Sequence, residues 1–173
     1  MHARPSPDFS PRPAALGGRD VRSRLRNRRG AFTLIEIISV LTIIGIISGI
    51  AFPKFQEAVD RAKVARAIGD LRAIAIDLAA ANPLPATLAD IGRGGLDPWG
   101  RPYRYVPFPE NRPGNTPPAG ARKDRFLVPI NSRYDLFSLG KDGASIAPLT
   151  ARPSRDDVIV ANDGGWIGLA KNF

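Results

Sequence analysis

The sequence predicts an α+β fold, a long N-terminal kinked helix packed on a small antiparallel sheet with a loop-rich C-terminus. Three observations predict it. An apolar run of 21 residues, Phe32–Phe52, carries a single charge. Past Pro53 the pattern becomes one-sided, with Val64, Ala67, Ile68, Leu71, Ile74, Ala75 and Leu78 at i, i+3, i+4, i+7 spacing. Beyond Gly95 come short β-branched or aromatic runs bounded by Gly, Pro, Asn and Asp.

Taken in order, residues 1–31 are rich in Arg, Pro and Gly and read as a basic leader without apolar periodicity. The only methionine is Met1, so a start at Val21 through a GTG codon, giving "VRSRLRNRRGA", is a reading that mass spectrometry of the precursor tests. Residues 32–53 read as the membrane-spanning or filament-core helix, of which the 21-residue apolar run makes about 31 Å at 1.5 Å per residue, the thickness of a bilayer core. The run exceeds a secretory signal's usual apolar length and no A-x-A site follows it. Pro53 should break or kink the helix, because its ring removes a backbone bond. Residues 54–82 continue as an amphipathic helix that Asn82–Pro83 ends.

The remainder, 83–173, reads as an α+β domain. Thr87 and Asp90 have the spacing of a capping box. Strands are expected at "YRYVPF" (103–108), "RFLVPI" (125–130), "YDLFSL" (134–139) and "DVIVAN" (157–162), with a Pro/Gly-rich loop at 109–124. Trp99, in the turn "DPWG", is expected in the core between helix and sheet.

The charge of +9 is unevenly placed: eight arginines stand against two aspartates before Phe32. A basic tail directly before an apolar span retains that end in the cytoplasm. With no aromatic interleaving, it is a poor nucleic-acid surface, and none is expected as a partner. Arginine outnumbers lysine 20 to 5, which suggests a GC-rich bacterial genome. There is no cysteine, so no disulfide closes the loops. The only histidine is His2, and neither G-x-S-x-G nor a P-loop occurs, so no catalytic machinery and no nucleotide site is expected.

Glu36 is the anomaly of the apolar run. A carboxylate in hydrocarbon costs roughly 2.5–3.5 kcal/mol even on insertion scales. It can snorkel to the interface or pair with Arg28 and Arg29 while the leader is attached. Gly45 and Gly49 form a G-x-x-x-G that permits close helix approach and weakens the helix locally, so the segment from Gly45 to Pro53 is expected to unwind on leaving a bilayer.

The block "GAFTLIEIISVLTIIGIISGIAFP" resembles the N-terminus of type IV pilins and of the pseudopilins of type II secretion. "GLDPWGRPYRY" (95–105), "YDLFSLGKDG" (134–143) and "DDVIV" (156–160) are similar to the major pseudopilin, general secretion pathway protein G. The stretch 144–155 and the ending "NDGGWIGLAKNF" depart from that pattern. The family has Gly directly before the Phe, whereas Ala31 stands here between Gly30 and Phe32. A cut between Ala31 and Phe32 makes Glu36 the fifth mature residue, as the family requires; a cut after Gly30 makes it the sixth.

The resemblance implies a subunit inserted in the bacterial inner membrane, N-terminus cytoplasmic and C-terminal domain periplasmic. A prepilin peptidase then clips it, the Phe32 amine is N-methylated, and the subunit assembles as a homopolymer with minor pseudopilins. An inner-membrane assembly platform and its ATPase supply the energy. Glu36 of one copy would neutralise the Phe32 amine of another. The resemblance further implies calcium, held by the Leu139 carbonyl, Asp142, Asp156 and Asp157, with Asp163 a further candidate. The rival readings are a pilin or minor pilin for adhesion, motility or DNA uptake, and a signal-anchored periplasmic binding module.

Overall fold

The structure, a computed structural model, describes residues 31–112 and 116–173. The basic leader, Gly30 and the Val21 start lie outside the described residues, as does the middle of the 109–124 loop. Helix α1 spans Leu34–Ala80, close to the 32–81 expected, and it continues through Pro53 without interruption. The described residues divide into two compact units, with the boundary between Thr42 and Ile43.

In the second unit the apolar face of α1 nucleates the core. Ala67, Leu71, Ile74, Ala75 and Leu78 are buried, with Val64 and Ile68 packed alongside, so the 3.6-residue periodicity identified the buried face residue by residue. These side chains meet Leu88, Tyr103, Tyr134, Leu136, Val158 and Val160. Burial of a large aliphatic such as Leu71 or Leu78, both fully covered, stabilises by about 1.5–3 kcal/mol. Tyr103 also reaches back to the helix, its hydroxyl donating to the Asp70 carboxylate at 2.8 Å. The 3₁₀ turn Leu88–Ile91 opens as expected, with the Thr87 N–H donating to the Asp90 carboxylate at 2.8 Å.

Four strands form an antiparallel meander: β1 Arg104–Pro107, β2 Tyr134–Ser138, β3 Val158–Ala161 and β4 Trp166–Leu169. Every β3 side chain is buried, which is why "VIVA" is apolar throughout rather than alternating. Val158 and Val160 face α1. Ile159 and Ala161 join a second cluster with Ile130, Leu149 and Ala170, covered by Phe137, Trp166 and Phe173.

One expected strand requires correction, and one strand lies where none was expected. "RFLVPI" is a tight turn: Asp124 and Leu127 exchange backbone hydrogen bonds at 3.0 and 2.6 Å, and Arg125 between them has φ +40°. No neighbouring strand pairs with it, so Phe126 stands fully in solvent and only Ile130 enters the core. Conversely, β4 lies in the Gly-rich ending that carried no strand expectation. Its alternation is masked by Gly168, which pairs with Ile159 and lies close to the Trp166 ring. Trp99 packs against the core cluster but is half-buried, not enclosed.

Candidate functional site

The N-terminal stem is built from the helix start upward. Thr33 immediately precedes α1, and its hydroxyl oxygen accepts the Glu36 N–H at 3.2 Å while its carbonyl accepts the Ile37 N–H at 3.3 Å. Thr33 is therefore an N-cap, and Glu36 occupies the third helical position, where a carboxylate favours the positive end of the helix dipole. The spacing T-x-x-E was available in the sequence as a capping signal and was not used. Among the described residues nothing pairs with the Glu36 side chain.

From Phe32 to Phe52 every large apolar side chain leaves between 45% and 78% of its surface exposed. The helix is long and apolar enough to cross a membrane, with mean hydropathy 2.4 over its best window, none of which is buried. Gly45 and Gly49 have open space where a side chain would stand, so their backbone is accessible to another helix. Ser39 and Thr42 turn their hydroxyls back onto the Glu36 and Ile38 carbonyls at 2.9 and 2.8 Å, keeping polar atoms satisfied on this apolar rod. Phe32 is exposed and Ala31 precedes the first helical turn, outside any regular element.

The C-terminal loop is held together differently from the calcium cage implied above. The Asp156 carboxylate accepts two backbone N–H groups, from Lys141 at 2.7 Å and Asp142 at 2.9 Å. Asp142 accepts the Ala144 N–H at 2.8 Å within its own turn, and the Leu139 carbonyl accepts the Gly143 N–H at 3.2 Å. Asp157 points inward, fully buried, onto the Arg122 guanidinium and the Ser145 hydroxyl. Burial pushes its carboxyl up to about 6, although Ser145 and Arg122 pull the other way. Asp163 is engaged elsewhere, accepting the Ser132 N–H and hydroxyl at 2.7 and 2.8 Å. Among the described residues no three acidic side chains come together around a metal-sized space. The oxygen donors of Leu139, Asp142, Asp156 and Asp157 do not fit a six- to eight-oxygen site in this arrangement.

The motif "DPWG" has a different task from display of its tryptophan. The buried Asp97 carboxylate accepts the Trp99 and Arg101 N–H groups at 3.0 and 2.8 Å and the fully buried Ser138 hydroxyl at 2.6 Å. It thereby fixes the turn to β2. Arg101 then donates to the Gly140 and Lys141 carbonyls at 2.6 and 3.2 Å, linking the turn to the C-terminal loop.

Residues 26–52, covering Thr33, Glu36, Gly45 and Gly49, match the family described as the prokaryotic N-terminal methylation motif. A type II secretion system core protein G from Pseudomonas aeruginosa is 31% identical over 144 residues, covering 68% of this chain and 87% of the relative. The chain belongs to the core protein G family of pilin-like proteins. A core protein G from Escherichia coli is 26% identical over 146 residues, 69% of this chain and 87% of the relative. Fimbrial protein Q of Moraxella bovis, 40% identical, aligns over only 47 residues, 27% of this chain and 30% of its own length. No solved structure matches the chain. Membership makes it a pilin-like structural subunit with an apolar stem suited to anchoring in the inner membrane. The relatives bear the names of structural proteins, not of enzymes.

Proposed function

We propose that this chain is the major pseudopilin of a type II secretion system, processed by prepilin peptidase between Ala31 and Phe32, N-methylated at Phe32 and polymerised in the periplasm to drive protein export. The observation that carries the reading is the bare stem: an apolar rod on which, among the described residues, nothing is packed, with one acid, Glu36, at its capped start. Such a rod needs either lipid or other copies of itself around it.

Cleavage before Phe32 creates an ammonium next to the helix N-terminus, where the dipole disfavours positive charge. A Glu36 carboxylate from another copy offsets that. Two opposite charges about 4 Å apart attract by about 4 kcal/mol at an effective dielectric constant near 20, comparable with the cost of carrying the acid in an apolar layer. Pairing therefore sets the axial register of subunits more than it adds stability. Growth by repeated addition would push cargo outward, with a partner ATPase at the inner-membrane platform supplying energy and minor pseudopilins starting the filament. The match to core protein G covers 68% of this chain, whereas the fimbrial match covers 27%. That difference favours export over a surface pilus.

Glu36→Leu tests the reading. Membrane insertion and leader removal should persist while filaments, scored by cross-linking between copies and by microscopy, disappear together with secretion. A variant that still assembles and secretes refutes it, as does functional protein whose mature N-terminus is not methylated Phe32.

A further inference from the structure

We propose that the C-terminal domain of this chain is clamped by its own buried arginine, Arg122, in place of calcium. Arg122 is 4% exposed and lies in the Pro/Gly-rich connection before β2. One arm of its guanidinium donates to the Ser145 hydroxyl and the Ile146 carbonyl, and the other to the carboxylate of Asp157, the residue just before β3. Its backbone N–H donates to the buried Asp135 carboxylate of β2 at 2.7 Å, and its carbonyl accepts the Ile130 N–H at 3.1 Å. The guanidinium carbon stands 4.2 Å from the centre of the Phe137 ring. One side chain thus joins the 144–155 loop, β2 and β3.

This is the work a divalent ion does in a loop without disulfides: it gathers carboxylate and carbonyl oxygens from segments distant in sequence. Here the gathering cation is covalently part of the chain. A Ca²⁺ seeking Asp157 would have to displace the guanidinium arm that donates to it. Ser154 completes the closure, its hydroxyl donating to the Ile146 carbonyl at 2.7 Å and accepting the Ile146 N–H at 3.0 Å. One oxygen of the Asp156 carboxylate likewise accepts two backbone N–H groups. The clamp lies wholly within the C-terminal domain and is independent of filament assembly.

The full chain in detergent is melted with EGTA or with millimolar CaCl2, following tryptophan fluorescence, and titrated with Tb³⁺ for sensitised luminescence. The expected result is the same Tm in both media and no saturable Tb³⁺ signal. A ligand at about a hundredfold its Kd raises the Tm of a domain this size by several degrees, so a saturable rise with calcium overturns the proposal. A double-mutant cycle of Arg122→Met and Asp157→Leu supplies the second measurement. Each single variant should lower the Tm by many degrees in either medium, and the double variant should recover part of the loss. Purely additive losses overturn it as well.

Discussion

Asp97→Ala is the sharpest perturbation of the C-terminal domain. The Asp97 carboxylate is 4% exposed and accepts three hydrogen bonds, from the Trp99 and Arg101 backbone and from the Ser138 hydroxyl. A hydrogen bond to a charged group contributes about 1.5–3 kcal/mol, and a buried donor left unpaired costs about 1–3 kcal/mol. Ser138 is fully buried and its hydroxyl donates to Asp97. The three bonds share one acceptor group and do not add, so the expected loss is about 3–5 kcal/mol. For a folded core of this size that lowers the Tm by roughly 12–20 °C. Asp97→Asn keeps an acceptor oxygen and should lose about 1–2 kcal/mol. The assay is a thermal melt of the full chain in detergent, followed by near-ultraviolet circular dichroism of the tryptophans. If Asp97→Ala melts within about 2 °C of the parent, corresponding to less than ~0.5 kcal/mol, the turn is not held by this carboxylate and the reasoning fails.

Three further outcomes are expected. Gly140 has φ +63° and a Cβ there would overlap the Asp156 backbone, so Gly140→Ala should destabilise by about 2 kcal/mol or more, readable in a urea midpoint. Lys141 and Asp60 pair at 2.6 Å, but their side chains are 65% and 36% exposed, so Lys141→Ala should shift stability by no more than ~0.5 kcal/mol. Burial pushes the Asp135 carboxyl up, with the Arg122 N–H opposing. A carboxylate raised in the folded state contributes stability below its unfolded pKa and loses it as pH rises through the raised value. Urea midpoints should therefore move in favour of Asp135→Asn over the parent as the pH climbs through the carboxylate range, and a shift in the opposite direction contradicts the assignment.

The stem and its buried face were legible because helical periodicity is a local property: the positions from Val64 to Leu78 that the spacing marked are those that face the sheet. β1, β2 and β3 were legible for the same reason, being short apolar runs between turn residues. "RFLVPI" has the composition of a strand but no partner, and pairing is not written in any single segment. β4 was concealed because a strand paired along one edge can carry glycine where a ring from its own chain fills the space. Arg122 was illegible altogether. In sequence it is one basic residue of "GARKD", indistinguishable from a solvated charge until Asp157 and Ser145 are brought to it from later in the chain. Thr33 is legible in the sequence through the T-x-x-E spacing to Glu36, the pattern of a capped helix start.

The uncovered stem has one consequence for how a subunit behaves before it is used. Lipid tails and neighbouring helices are nearly equivalent surroundings for the aliphatic side chains between Phe32 and Phe52. Moving a copy from one to the other therefore exchanges like for like, leaving a small difference in free energy across a large contact area. Small differences are readily tipped either way. On the proposed reading, the bilayer would then act as a two-dimensional store from which fibres lengthen and into which they melt back, with the balance set by how crowded the store is.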